Sequence, residues 1–563
     1  VKTNVATEKL FLAIGAVLVI LGLVLPSSAV IAFLRSTPGA LREQLILGGA
    51  LFKTGLVLQG LLIMILGRTI NWKMAEQTEE RFSNGSRGLR CSILVGILLT
   101  ALLLRLYKLD AGIWFDEIVT YVSYMGRSFG EILTTYDNQN NHFLYTLLAR
   151  LSFLIFGESV WALRLPAVLF GVGSIWALYL FACEVATWRE GLLSAGLLTF
   201  SYHHVWFSQN ARGYTALLFW TLLSSWLLIR ALRKAEVRLW LLYGVTTALG
   251  LFTHISMAFV AFGQGVVWLG SIYGARKENR REIWLGGILG FAVASLLTFQ
   301  LYSLVLPQAF NWQGAGVSSW RGTVAVAPWK SPVWMMKELF RAGNISLGSS
   351  VALGIALLVF VAGLIDFGRK KSPIIWLLMV PAFASIAVIM AVGSTLVPRL
   401  LFFAMGFAAI IVVRGLMVWS GCLSRMLRFD PVITQKVGVG LCACAIIVSA
   451  VSVSRAYEPK QDYRGALEFV QKQRRPGDVI LTVDLTALPY QRFYKVDWQN
   501  VTTVEELDLA RSHGRRTWLV YTMPVVLQAA YPEIMQTIKT EFHTIKEFNG
   551  TLNGGNIVVS RAE

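Results

Sequence analysis

The stretch Leu106-Tyr-Lys-Leu-Asp-Ala-Gly-Ile-Trp-Phe-Asp-Glu-Ile-Val-Thr120 decides how the rest of this chain is read. It grows out of an apolar run over residues 92–107 and sets two adjacent carboxylates, Asp116 and Glu117, just past the end of that run. Ionisable groups at membrane depth are costly and tend to be functional. Taken alone, the pair fits a solvated acidic loop equally well, so the remainder of the chain has to break the tie.

Composition settles the broad class. Of the 563 residues 55% are hydrophobic and only 15% charged, against about 25% charged in a soluble globule, and the mean hydropathy is +0.59. This is the composition of a polytopic membrane protein. In a soluble chain a net charge of +19 would point to nucleic acid. Here Lys and Arg sit in short loops between apolar runs, as the positive-inside bias requires, so no nucleic-acid partner is expected. Such a basic belt also suits anionic head groups or a lipid phosphate. The five cysteines, Cys91, Cys183, Cys422, Cys442 and Cys444, lie in or beside apolar runs and show no metal-ligand spacing. They read as membrane thiols outside any disulfide framework.

Working outward from Asp116, thirteen apolar runs are long enough to be membrane segments: residues 10–34, 45–66, 92–107, 162–182, 192–207, 214–229, 239–252, 256–273, 283–304, 351–365, 374–392, 401–419 and 437–453. The first continues past a Ser27-Ser-Ala29 site and is longer than a typical signal-peptide core, so an uncleaved helix is expected. Residues 142–156 are ambiguous: if they span the membrane, every later loop changes sides. Placing them in the interface instead puts Arg230/Arg233/Lys234/Arg238, Arg276/Lys277/Arg280/Arg281 and Arg369/Lys370/Lys371 in the cytoplasm, which the charge rule favours. The expected topology therefore has the N-terminus inside and the C-terminus outside. On the outer face it gathers the Asp116 loop, Ser208–Tyr214, Thr253-His254, the loop 307–349 and Val397-Pro-Arg399. Arg105 is expected to snorkel to the interface.

After Ser454 the composition changes. An amphipathic helix over 462–473, a Pro476-Gly-Asp478 turn, strands over 479–483, 517–521 and 557–560, and a helical pattern over 525–539 describe a small α/β domain. The expected fold is thus a polytopic α-helical membrane protein of about thirteen transmembrane helices with a small extracytoplasmic α/β domain. Its parts are 1–91 (two extra helices and a cytoplasmic connector), 92–454 (the core, with outer loops 108–161 and 305–350) and 455–563 (the α/β domain).

A carboxylate at an outer membrane surface suits a general base for a hydroxyl or amine. If the donor is a sugar on a lipid phosphate, the leaving group needs positive charge to hold the developing anion, best supplied by the planar fork of Arg. Arg212 and Arg399 are the outer-face candidates, each beside an apolar run. His142 suits phosphate or a metal, and His254 sits at a helix end. Tyr202, Trp206 and Tyr214 suit an interfacial aromatic belt better than a sugar-stacking platform, and Asp137 and Asn138 are candidates for shaping the pocket.

Tyr107-Lys-Leu-Asp-Ala-Gly-Ile-Trp-Phe-Asp-Glu117 resembles the first outer loop of the GT-C superfamily, and more narrowly that of glycosyltransferase family 39, the protein O-mannosyltransferases and their bacterial relatives. Asn140-Asn-His-Phe-Leu-Tyr-Thr-Leu-Leu148, Phe156-Gly-Glu-Ser-Val-Trp-Ala-Leu-Arg-Leu-Pro166, Ser208-Gln-Asn-Ala-Arg-Gly-Tyr214, Phe252-Thr-His254 and Pro398-Arg399 are similar to later elements of that family in order and spacing. The resemblance covers about 92–413. The family's His-Pro-Pro prolines are replaced by Phe143 and Leu144, and the Tyr that often follows the late Arg is Leu400.

The resemblance implies Asp116 as catalytic base and Glu117 as support for base or acceptor. It implies inverting transfer of a hexosyl or pentosyl group from a polyprenyl-phosphate donor to a lipid, glycan or protein acceptor, at the outer face of a bacterial cytoplasmic membrane. His142, Arg212, Tyr214, His254 and Arg399 are its donor- and phosphate-binding candidates. Relatives that modify lipid A carry Glu-Lys where this chain has Asn141-His142, so their metal site does not transfer; a divalent metal ion near His254 stays open. Two other classes also remain open: a transporter or flippase of lipid-linked sugars, and a non-catalytic subunit of a cell-envelope glycan assembly system.

Overall fold

The computed structural model describes residues 5–35, 41–69, 84–136, 141–234, 236–315, 331–370, 373–392, 397–428, 430–512 and 516–562. Asp137 and Asn138, the connector residues Lys73 and Arg81, Lys371, and part of the loop 307–349 lie outside them. Among the described residues ten helices are long and apolar enough to cross a membrane: Arg42–Gly67, Arg87–Leu106, Val160–Val185, Tyr214–Lys234, Met257–Gly274, Asn279–Tyr302, Ser350–Arg369, Ile374–Ala391, Pro398–Leu427 and Pro431–Tyr457. This is a multi-pass membrane protein.

Against the expected thirteen runs, the described residues give ten such helices, or eleven if the bent first run is one span, because two runs are broken and a third is short. The first is bent by 98° between Glu8–Val24 and Ser27–Leu34, where Pro26 has extended backbone and no N–H to continue a helix. The run 192–207 breaks into Trp188–Thr199 and Tyr202–Ser208. Ser201 starts the second piece by accepting the His204 N–H, a role for which short hydroxyl side chains are favoured. The third, Val237–Thr253, has 17 residues, or about 25 Å of helix. Residues 142–156 form the 14-residue helix Phe143–Phe156, about 21 Å long and well short of a hydrocarbon core of about 30 Å. It buries Phe143, Tyr145, Ala149 and Phe153 and exposes Leu151, Leu154, Ile155 and Phe156.

Arg105 corrects another expectation. It points inward and is fully buried. Its guanidinium donates to the Ala101 carbonyl at 2.9 Å, to the Thr199 carbonyl at 3.3 Å and to Ser208 Oγ at 3.2 Å, and meets His204 Nδ1 at 2.6 Å. Thr199 ends the first half of the broken helix, where carbonyls have no intrahelical partner, and a cation there also matches the helix dipole. The break and the arginine therefore belong together.

After the last span, the described C-terminal elements form a five-stranded sheet of order β2-β1-β3-β5-β4. The strands are β1 Asp478–Val483, β2 Gln499–Val501, β3 Arg516–Thr522, β4 His543–Phe548 and β5 Ile557–Ala562. β1 runs parallel to β2 and β3, whereas β5 is antiparallel to β3 and β4. The expected amphipathic helix is Tyr463–Gln473, capped by the Asp462 carboxylate accepting the Gly465 N–H at 2.8 Å. The pattern over 525–539 divides at Tyr531 into Pro524–Ala530 and Pro532–Glu541, since the residue before a proline is disfavoured in helical backbone. The short β2 and the exposed edge strand β4 carry too little apolar alternation to be read from sequence.

Arg105→Met is expected to lower the unfolding free energy by about 3 kcal/mol, because buried carbonyls and His204 lose a charged partner. Thermal unfolding of purified protein in detergent measures this.

Candidate active site

The helix Phe115–Tyr124 presents Asp116 and Glu117 in its first turn, where the helix dipole favours negative charge. The two neighbours have opposite surroundings. Glu117 is fully buried. Its two oxygens take Arg164 Nε and Nη2, each at 2.7 Å, and its Oε1 also accepts the Ala211 N–H at 2.7 Å. Arg164 has further donors on the carbonyls of Leu109, Ala111 and Gly112 at 2.7–2.9 Å. One ion pair thus ties together the loop before Asp116, the helix Val160–Val185 and the turn at 209–213. Burial works against the Glu117 charge, but Arg164, Lys460 and the Ala211 N–H outweigh it and hold the carboxyl below its ordinary value.

Asp116, one residue earlier on the helix, keeps 15% of its side chain accessible and accepts Arg399 Nη1 on Oδ2 at 3.2 Å. Beside this pair stand the other residues singled out from the sequence. His142 Nδ1 accepts the Gly213 N–H at 2.9 Å, and its Nε2 lies 2.9 Å from Arg212 Nη2. Gly213 has to be glycine here, since a Cβ would sit 2.8 Å from His142 Nδ1. His254 Nδ1 accepts the Ser256 N–H at 3.1 Å. A backbone N–H is an obligate donor, so neutral His254 carries its proton on Nε2, whereas both ring nitrogens of His142 face donors, the Gly213 N–H and the Arg212 guanidinium. The rings of His142 and His254 are 4.8 Å apart, and both pack against Tyr214. Burial, with Arg212, His254 and Arg399 adding to it, holds His142 well below the usual imidazole range. Burial, then Arg212 and Arg399, take His254 down to about 3. Both histidines are therefore neutral, and the cluster's positive charge comes from the two arginines.

Of the seven residues picked from sequence, six gather here, and Glu117 faces the other way into Arg164. Tyr202, Trp206 and Tyr214 do not form a lipid-facing belt: all three are buried. Trp206 packs at a tilt, ring centres 5.9 Å apart, against Trp114, whose Nε1 donates to Asn210 Oδ1 at 3.1 Å. A divalent cation fits this site poorly. Among the described residues no three His, Cys, Asp or Glu side chains gather as ligands, and guanidinium groups flank the histidines.

Sequence reading missed Arg164, Lys460 and Gln461. Arg164 lies within the Ala-Leu-Arg-Leu-Pro element, and an arginine facing apolar neighbours four residues into a membrane helix was the available signal. Lys460 and Gln461, in the segment leading into the α/β domain, carried none. Lys460 is buried, donates to the Gln209 carbonyl at 2.6 Å and lies over the Trp206 ring.

Fold and site define a multi-pass membrane protein with a charged cluster beside the Asp116 helix. Residues 141–298 match the family model described as dolichyl-phosphate-mannose-protein mannosyltransferase. The fold is similar to that of the archaeal oligosaccharyltransferase AglB from Archaeoglobus fulgidus in complex with an inhibitory peptide and a dolichol-phosphate. That match is 12% identical, covers 84% of this chain and 74% of that one, and has a TM-score of 0.53. The apo form of the Archaeoglobus fulgidus oligosaccharyltransferase matches at 13% identity, 84% and 75% coverage, and a TM-score of 0.52. ArnT from Cupriavidus metallidurans bound to undecaprenyl phosphate matches at 11% identity, 85% and 98% coverage, and a TM-score of 0.49. No curated protein matches the sequence. At these identities the likeness to the two Archaeoglobus fulgidus structures establishes the fold alone.

Arg164→Met is expected to cost about 3–5 kcal/mol, the usual penalty for stranding one partner of a buried ion pair, and Glu117→Gln added to it should cost less than the two single changes summed. Unfolding of the four proteins of the cycle measures both. Burial, opposed by Glu117, brings the Lys460 ammonium from 10.5 to about 7. Between those values the unfolded chain holds a proton that the folded chain has released, so stability rises with pH across that window. Lys460→Met should flatten the rise in thermal midpoint between pH 7 and 10.

Proposed function

We propose that this protein is an inverting glycosyltransferase that moves a sugar from a polyprenyl-phosphate donor to an acceptor at the outer face of a bacterial cytoplasmic membrane. The supporting observation is the pairing of one accessible carboxylate, Asp116, with a cluster of cationic and neutral donors: Arg399 at 3.2 Å, and Arg212 with His142, His254 and Tyr214 beside it. Asp116 is the base. It takes the proton of the acceptor hydroxyl as that oxygen attacks the anomeric carbon, and the bond from that carbon to the phosphate oxygen breaks with its electron pair remaining on the phosphate.

Arg399 and Arg212 take up the charge that develops there, with the Nε2–H of His254 as a neutral donor and His142 placing Arg212. Preorganised donors of this kind usually do more than any other effect to lower the barrier of such a step. One displacement inverts the anomeric centre. Glu117, both of whose oxygens are committed to Arg164, is a positioning residue. The family match over 141–298 and the lipid phosphate named for a structural neighbour support this donor class. The sugar is a hexose or pentose, and the acceptor a lipid, glycan or protein.

An in vitro assay with a panel of polyprenyl-phosphate sugars tests the reading. Asp116→Asn should lower kcat by about 10²–10⁴, the range of a general base, with the product of inverted anomeric configuration. Equal turnover by wild type and Asn variant would remove Asp116 from the chemistry, and donor translocation without a new glycosidic bond would replace the enzyme with a transporter.

A further inference from the structure

The α/β domain reaches the Asp116 helix through a short bent strap, Pro459–Gln461. Gln461 is 1% exposed. Its Oε1 accepts the Phe115 N–H at 3.1 Å, one of the helix-start donors that no helical carbonyl satisfies, and that N–H belongs to the residue directly before Asp116. The Gln461 amide nitrogen is held in turn by Thr522 at the end of β3, at 3.4 Å. Lys460 spans from the Trp206 ring to the Gln209 carbonyl, within electrostatic reach of Glu117.

The strap is itself clamped by the β4–β5 loop. The Thr551 N–H donates to the Pro459 carbonyl at 2.9 Å and the Leu552 N–H to the Lys460 carbonyl at 3.1 Å. Gly550 lets that loop close down, since a Cβ there would overlap the Lys460 carbonyl oxygen. Thr551 Oγ1 also accepts Trp206 Nε1 at 2.8 Å. A chain of hydrogen bonds therefore runs from the sheet of the α/β domain to the first turn of the helix that carries the base.

We infer that the α/β domain is a working part of the active site, with Lys460 and Gln461 as positioning residues that fix the start of the Asp116 helix for the transfer step. This rests on the glycosyltransferase reading above. A base held by a helix terminus loses alignment when that terminus frays, and an ångström-scale misplacement costs about 100-fold in rate.

The test uses the full chain in detergent or nanodiscs, with Gln461→Leu and, as a variant that alters no group touching the helix, Gly550→Ala. Hydrogen exchange of the 112–120 peptide should speed up in both variants while β1 and β3 keep wild-type protection. With the polyprenyl-phosphate sugar that the wild type turns over, kcat should fall about tenfold, less than for full misplacement, and the donor KM should change less than twofold. Unchanged exchange at 112–120, an unchanged kcat, or equal loosening of β1 and β3 would overturn the inference. Exchange is read without turnover, so a failure of the strap is separable from a failure of the enzyme reading, which Asp116→Asn decides.

Discussion

The buried pair Glu117–Arg164 is the constraint on which the site depends. Two charges out of water are tolerable only when geometry and extra hydrogen bonds satisfy every remaining lone pair and proton. Here the carboxylate takes two guanidinium nitrogens and a backbone N–H, and the guanidinium spends its other donors on the carbonyls of Leu109, Ala111 and Gly112. The result is a loop with only two turn hydrogen bonds of its own, Leu109 N–H to the Leu106 carbonyl and Ala111 N–H to the Lys108 carbonyl, that Arg164 holds at three further carbonyls. Asp116 inherits that rigidity without sharing the burial. Two adjacent acids thus have different tasks: one holds the loop, and the other faces Arg399 with part of its surface accessible.

The same solution recurs one layer below. A helix broken inside a membrane protein exposes carbonyls where no water is at hand, and backbone groups at that depth must be satisfied by protein. Arg105, held by His204, meets that requirement at the break between Thr199 and Tyr202. The break turns the chain so that Trp206, Asn210 and Arg212 come beside Trp114 and His142. A straight span over 192–207 would not deliver the 209–213 turn to Glu117. The cationic cap is therefore a condition of the site as well as of the fold.

The α/β domain contributes through contact instead of through a cleft of its own. Its strands β1, β3 and β5 are buried on both faces by the domain's own helices and by the aromatic group around Tyr463, Tyr490 and Trp498, and the segment after β1 reaches Tyr121 through Phe493 at 5.3 Å. Together with the strap, this places the domain against the same helix that presents Asp116. Membrane helices and α/β domain thus meet at an element where a shift of an ångström matters to the proposed reaction.

Composition, run length and the charge asymmetry of loops determined the membrane class, the order of the apolar segments and the α/β character of the C-terminal part, because hydropathy and periodicity are local properties that the chain carries at every position. The residues Asp116, His142, Arg212, Tyr214, His254 and Arg399 were legible for a related reason: each is polar at the end of an apolar run, where polarity needs a cause. What only the tertiary structure decided is which partner each polar group meets. Nothing local separates Asp116 from Glu117, marks Arg105 as inward-facing, or links Gln461 to a backbone N–H at Phe115, 346 residues earlier. Those assignments depend on which elements approach each other, and hydrogen bonds of a few ångströms are set by that approach and not by sequence spacing.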